Sequence, residues 1–125
     1  MTTDPRPALS GDGLTLDGNL ALATAYAERA HALGLLIGQK NAAEHADLLR
    51  DEVGFDFAVA EECLEFDECA AYTDVYGGAV IDIEYALDAD EAPAICADPS
   101  RPVSTVVRDR ALLTPAADGY VFARC

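Results

Sequence analysis

The order of helical patterns and short apolar runs is the feature of this sequence that most constrains its fold. Predicted helices cover residues 17–33, 42–53 and about 64–76, and strand candidates cover 35–37, 55–59, 80–83 and 103–108. Strands that alternate with helices at this spacing indicate a parallel sheet, because parallel neighbours need a long crossover connection. The strand candidates are largely apolar, which favours a sheet covered on both faces. The sequence therefore predicts an α/β fold with about four parallel strands, either a small doubly wound domain or part of a closed β/α barrel.

Residues with known capping preferences mark the expected ends of the helices. Asp17 is the N-cap candidate of the first helix, and Gly34 and Gly54 are expected to end the first and second. A loop rich in Asp, Ala and Pro is expected over about residues 86–102, and a polar tail after the last strand. Residues 1–13, rich in Pro, Gly and Asp, are expected to form an irregular lead-in to a domain over residues 14–125.

Length and hydrophobicity limit the kind of protein. The 125 residues, 51% of them hydrophobic, suffice for one domain with an ordinary core. No apolar stretch approaches the ~20 residues that cross a bilayer. The N-terminal residues "MTTDPRPALSGDG" also lack the basic and apolar regions of a signal peptide. We therefore expect no membrane partner and find no secretion signal in this sequence.

The charge of the chain is strongly negative. Twenty-three acidic residues against eight basic ones give a formal net charge of −15. Such a surface repels phosphate backbones, so nucleic acid is not an expected partner. A cationic ligand would be attracted to it, although acidity that serves only solubility or salt tolerance is the alternative interpretation.

Four cysteines, Cys63, Cys69, Cys96 and Cys125, permit three disulfide pairings. None lies in a C-x-x-C arrangement, and neither histidine lies close to a cysteine in sequence, so no metal site is expected. Pairing of Cys63 with Cys69 and of Cys96 with Cys125 is geometrically easy. Disulfides would place the protein in an oxidising compartment.

Polar side chains follow three of the strand candidates. Lys40 and Asn41 follow the first, Glu61 and Glu62 the second, and Glu84 and Tyr85 the third. The carboxyl ends of parallel strands are where α/β proteins bind their ligands. We therefore expect these six side chains to share one rim.

Five of these six residues also have a purely structural interpretation. Lys40 and Asn41 would only begin the next helix, Asn41 as its N-cap. Glu61 and Glu62 would be solvated loop acids, and Glu84 would be a salt-bridge partner of Lys40.

Other titratable residues are assigned structural roles. Asp56 and Asp82 lie inside strand candidates, where a buried carboxylate needs a partner. His31, late in an amphipathic helix, is interpreted as a packing or surface residue. The sequence has no Gly-rich dinucleotide loop, P-loop or H-E-x-x-H motif, so no cofactor is predicted.

Three segments, "AHALGLLIGQKN", "GFDFAVAEECLEFDEC" and "IEYA", resemble the C-terminal part of glycoside hydrolase family 114. This family comprises the endo-α-1,4-polygalactosaminidases, which have a (β/α)8 TIM-barrel fold. The resemblance runs from about Leu14 to the terminal cysteine. It implies that residues 14–125 form the C-terminal portion of such a barrel, secreted and bound to a cationic galactosamine polymer.

The resemblance assigns roles to the strand-end residues. It places the glutamate that follows the sixth barrel strand, a catalytic acid/base, at Glu61, with Glu62 where the family has Gln. Lys40 and Asn41 follow the fifth strand, and Glu84 and Tyr85 the seventh, so these residues and Glu62 are expected to bind sugar. The aspartate after the fourth strand has no counterpart in this sequence. The resemblance thus implies a chain that begins after that strand and has little or no hydrolase activity alone.

The implied mechanism uses two carboxyl groups. One protonates the leaving oxygen, and the other acts as nucleophile or activates water. Glu61, beside Glu62 and close in sequence to Phe55 and Phe57, is expected to have a raised pKa that suits the acid.

Two other functions remain open on the sequence. One is a non-catalytic acidic module that binds cationic polysaccharide or a partner chain, with self-association through unpaired sheet edges. The other is an independent, disulfide-stabilised α/β domain of unrelated function.

Overall fold

The computed structural model describes residues 14–125, which form a five-stranded sheet and the helices that accompany it. The irregular lead-in expected for residues 1–13 lies outside the described residues. Within the described part, every helix is too short or too polar to cross a membrane.

The secondary structure alternates strands and helices up to the fourth strand. The strands are β1 (Gly38–Lys40), β2 (Phe57–Glu61), β3 (Val80–Tyr85), β4 (Ser104–Arg108) and β5 (Phe122–Arg124). The α-helices are α1 (Leu16–Ala32), α2 (Ala46–Leu48), α3 (Cys69–Tyr76) and α4 (Ala92–Ala97). Short 3-10 helices cover Ala43–His45 and Ala89–Glu91, and a π-helical turn covers Leu49–Val53.

The strands are ordered β1-β2-β3-β4-β5 across the sheet. Neighbours among the first four are parallel, whereas β5 runs antiparallel to β4. The prediction of an α/β fold with about four parallel strands, arranged as part of a β/α barrel, is therefore confirmed. The antiparallel β5 lies in the segment expected to be only a polar tail.

Side-chain alternation gives the sheet two different faces. One face packs on α1, α2 and α3, and its core contains the fully buried Leu49, Phe55 and Tyr72. Burying each such side chain stabilises the fold by about 1.5–3 kcal/mol. The opposite face is less covered by the described residues, and Ile81 in its centre is 44% exposed. The expectation of a sheet covered on both faces thus holds for one face within residues 14–125.

The first strand lies three residues later than the sequence indicated. The apolar run 35–37 precedes β1, and its central residue Leu36 is 73% exposed. Gly38, the first residue of β1, pairs with Phe57 of β2, and a Cβ at Gly38 would come within 2.4 Å of the Phe57 ring. A residue without a side chain is therefore needed at this position.

Several helix ends also differ from expectation. Thr15, with extended backbone, is the N-cap of α1, and its hydroxyl accepts a hydrogen bond from Gly18 N at 3.0 Å. Asp17 lies inside the first turn. The helix expected over 42–53 is divided into 3-10, α and π turns, although Gly54 (φ 90°) ends it as predicted. The loop expected over 86–102 contains α4, after a capping box formed by Asp88.

Two disulfides and one side-chain hydrogen bond link distant parts of the chain outside the rim. Cys63 is bonded to Cys69 across the β2–α3 loop, and Cys96 in α4 is bonded to Cys125 after β5. At the other edge, His31 of α1 is 2.8 Å from the carboxylate of Asp56. Asp56 therefore has the structural partner that the sequence analysis expected, and this His31 contact holds the pKa of Asp56 below its usual value.

Candidate active site

The carboxyl ends of β1, β2 and β3 bring three side chains into direct contact. Lys40 is the last residue of β1, Glu61 of β2 and Tyr85 of β3. All three are partly buried on the less covered face of the sheet. Adjacent parallel strands in register thus place an amine, a carboxyl group and a phenol together, as the rim expectation required.

Both oxygens of Glu61 accept hydrogen bonds. The Lys40 ammonium donates to Oε1, and the Tyr85 hydroxyl donates to Oε2 at 3.1 Å. The backbone N–H of Glu61 donates to Asn41 Oδ1 at 2.9 Å. Asn41 has φ 58°, a left-handed conformation that Asn tolerates, and its side chain points to β2 instead of capping the next helix. Asn41 therefore positions Glu61, and its interpretation as an N-cap is wrong.

The electrostatic state of Glu61 is opposite to the expectation. The Lys40 hydrogen bond lowers the pKa of Glu61, partial burial acts against it, and the Tyr85 hydroxyl lowers it further. The two phenylalanines that are close in sequence do not exclude water from the Glu61 carboxyl group. Phe55 is buried in the helix-side core, and Phe57 lies over β1. Within these surroundings Glu61 is an anion at neutral pH.

Glu62 is the second acid at this strand end. It has φ 58°, and its carboxylate pairs with the guanidinium of Arg110. The same guanidinium lies over the Tyr85 ring, with Cζ 4.8 Å from the centroid. Arg110 was missed by the sequence analysis, although it follows the fourth strand candidate just as Lys40 and Glu61 end theirs.

Glu84 does not lie with the other rim residues. It is 5% exposed, and Leu64 N in the β2–α3 loop donates to its Oε1 at 2.8 Å. Successive residues of a strand face opposite sides of a sheet, so Tyr85 lies on the rim face and Glu84 on the helix face. Expecting both on the rim is therefore geometrically inconsistent. The salt bridge between Glu84 and Lys40 is also wrong, because Lys40 pairs with Glu61.

Glu84 and Asp82 form a buried acid pair beneath the β2–α3 loop. Asp82 Oδ1 accepts from Cys63 N at 3.3 Å, whereas its buried Oδ2 has no regular donor in the described residues. Burial raises the pKa of Glu84 to about 8, and the adjacent Asp82 reinforces the rise. Burial also raises the pKa of Asp82. The pair is most stable when one of the two carboxyl groups is protonated and shares its proton with the other in a hydrogen bond.

The acid pair does not form a metal centre in this disulfide-bonded state. The Sγ atoms of Cys63 and Cys69 and a carboxylate oxygen of Asp82 lie within 4.8 Å of one another. Both cysteines are joined in a disulfide, so neither offers the thiolate that zinc prefers. The sequence expectation of no metal and no cofactor stays a prediction.

The charges at the strand ends are balanced among the described residues. Three acid–base pairs lie there: Lys40–Glu61, Arg110–Glu62 and Arg108–Asp109. The net charge of −15 is therefore carried by other parts of the sequence. These pairs therefore do not supply the excess negative charge that would attract a cationic ligand.

Comparisons with known proteins agree with this architecture. The crystal structure of Aspergillus fumigatus Ega3 in complex with galactosamine is similar, with a TM-score of 0.69 and 24% sequence identity. The match covers 94% of this chain and 49% of that one, so this chain spans about half the length of the solved structure. Curated proteins gave no significant match. The model of glycoside-hydrolase family GH114 matches residues 6–125, and the chain belongs to that family.

Proposed function

We propose that this chain supplies one side of an active site of the endo-α-1,4-polygalactosaminidase type, which hydrolyses galactosamine-containing polysaccharide. The observation that carries the proposal is the contact of Lys40, Asn41 and Tyr85 with Glu61 at three parallel strand ends. The galactosamine in the similar Ega3 structure supports an amino sugar as the ligand class. Residues 14–125 would form one partial β/α-barrel domain.

Glu61 is proposed as the general acid/base. In the described residues it is held as an anion by Lys40, whereas an acid must begin the reaction protonated. A second carboxylate nearby and exclusion of water by bound sugar both raise a carboxyl pKa. The protonated form of Glu61 would therefore require a complete, occupied site. Lys40 would then stabilise the anion that remains after the proton is given to the leaving oxygen.

The second carboxyl group is the missing part of the mechanism. Glycosidic hydrolysis requires two carboxyl groups about 5–5.5 or 6.5–9.5 Å apart. Among the acids at the described strand ends, Glu62 is paired with Arg110 and Glu84 is buried under the β2–α3 loop. Asp109 accepts backbone hydrogen bonds from Leu113 and Val121. We therefore propose that this chain alone has little or no hydrolase activity.

The experiment separates binding from cleavage. An α-1,4-linked galactosamine oligomer is titrated into the wild-type chain and Tyr85→Phe, with binding followed by NMR and released reducing ends measured in parallel. We expect the wild-type chain to bind the oligomer without cleaving it. Tyr85→Phe should weaken this binding, because it removes the hydroxyl that donates to Glu61 and keeps the ring. Absence of binding would refute the sugar site. Strong cleavage that Glu61→Gln abolishes would support the site and refute the proposed inactivity.

A second candidate function is a non-catalytic module that binds cationic polysaccharide or another chain. Incomplete covering of one sheet face, with Ile81 44% exposed, favours a partner surface there. Strands β1 and β5 are the two edge strands of the described sheet, so self-association would use the outer side of one of them. The two disulfides suit an extracellular location for either function.

A further inference from the structure

We propose that Arg110 determines sugar specificity at this rim by acting as an internal cation that competes with a substrate ammonium for Glu62 and Tyr85. The inference rests on the proposed function, because it requires the rim to bind sugar. It assigns a role to a residue after β4 that neither the strand-end pattern nor the family match singles out.

The contacts of Arg110 show what it occupies. Its guanidinium pairs with the Glu62 carboxylate and lies over the Tyr85 ring, 4.8 Å from the centroid. The Glu62 side chain is only 15% exposed, whereas the Arg110 side chain is 72% exposed. Arg110 therefore covers a recessed carboxylate from the solvent side. Tyr85 also donates to Glu61 at 3.1 Å, so the covered position adjoins the proposed reacting carboxyl group.

The covered groups are those that recognise an amino sugar. A carboxylate neutralises an ammonium group, and an aromatic face attracts a cation while packing against a sugar ring. Arg110 makes both interactions from within the chain. A galactosamine ammonium that reaches Glu62 must first displace the guanidinium, whereas an N-acetylated sugar has no charge to exchange.

The displacement is feasible because Arg110 is held weakly. The Arg110 side chain is 72% exposed, so solvent screens both its ion pair with the recessed Glu62 and its cation–π contact, and each contributes only a modest stabilisation. A long, solvated arginine side chain can rotate away without disturbing the core. Arg110 would thus reduce, without abolishing, the preference of the rim for charged over acetylated sugar.

The test is a double-mutant cycle read by sugar binding. Wild type, Arg110→Gln, Glu62→Gln and the double variant are titrated with α-1,4-galactosamine oligomer and with its N-acetylated counterpart. The pH is kept where the sugar amine is protonated. Arg29→Gln, an exposed α1 arginine, controls for the loss of one positive charge. Thermal unfolding checks that each variant is folded.

Arg110→Gln is expected to raise affinity for the charged oligomer by roughly three- to tenfold, without changing affinity for the acetylated one. The gain should disappear in the Glu62→Gln background and be absent in Arg29→Gln. Unchanged or weakened binding of the charged oligomer in Arg110→Gln overturns the inference, as does an equal gain without Glu62. If wild type binds neither oligomer, the proposed function fails and the inference with it. If wild type binds the charged oligomer but the effects of Arg110→Gln and Glu62→Gln are independent, this inference alone is refuted.

Discussion

Replacement of Glu84 by Gln tests the buried acid pair through the pH dependence of stability. Glutamine keeps an oxygen that can accept from Leu64 N and gains an N–H2 that can donate to Asp82. It removes the only proton that Glu84 can lose. The variant therefore keeps the shape of the pair while abolishing its titration.

The magnitude follows from the raised pKa. The pKa of Glu84 rises from its ordinary 4.5 to about 8, so the folded chain holds the proton more tightly than the unfolded chain. The resulting stabilisation is complete below about pH 4.5 and is lost as pH rises through about 8. The full difference corresponds to about 5 kcal/mol of unfolding free energy. Water entering beneath the β2–α3 loop would solvate the ionised pair, so we expect roughly half of this.

Urea denaturation at a series of pH values from about 5 to 9 measures the effect. The unfolding free energy of Glu84→Gln minus that of wild type should rise by about 2–3 kcal/mol over this range. Glu28→Gln, an exposed α1 acid, corrects for the removal of one negative charge from an acidic chain. A corrected difference that is flat, or that falls as pH rises, would show that Glu84 does not hold this proton in the folded state.

Two further predictions concern Lys40 and the longer disulfide. Lys40→Met should raise the pKa of Glu61, because the Lys40 hydrogen bond is the main cause of its lowering. NMR titration of the Glu61 carboxyl carbon measures this pKa, and an unchanged value would contradict the role given to Lys40. Replacing both Cys96 and Cys125 by Ala should lower the unfolding free energy by about 3.5 kcal/mol, since the bridge spans 29 residues of sequence. Urea denaturation measures this loss, and one below about 1 kcal/mol would contradict the tethering role.

The parallel part of the sheet was predictable because it depends on local signals. Apolar runs between helical patterns identified β2, β3 and β4, and the crossovers required them to be parallel. Strand β5 has only three residues, and the apolar stretch that overlaps it, residues 120–123, is too short to distinguish a strand from a tail. It is paired with β4 and followed by Cys125, which donates from its N–H to Thr105 O at 2.9 Å and is bonded to Cys96. Those long-range contacts leave no periodic signal in the sequence.

The rim was partly predictable for the same reason. The convergence of Lys40 and Tyr85 on Glu61 follows from where each strand ends, which the sequence shows. Placing Glu84 there ignored alternation, which the adjacent Tyr85 already made evident. Arg110 required knowledge that the end of β4 reaches the same rim. The paired state of each charge depends on side-chain geometry, which sequence spacing does not encode.

The lowered pKa of Glu61 bears on how an acid/base residue can work in this architecture. A strand end fixes the position of a carboxyl group, but its protonation state depends on the charges that surround it. In the described residues a cation lies beside Glu61, which favours the anion. A second carboxylate across the sugar would raise that pKa, and the Lys40 ammonium would still stabilise the anion after proton transfer. In the proposed site, one residue could thus act first as acid and then as base if these two neighbours acted from opposite sides of the ligand. Under the proposed function Lys40 would fill the second of these roles, and the first would need a carboxyl group that the described strand ends do not supply.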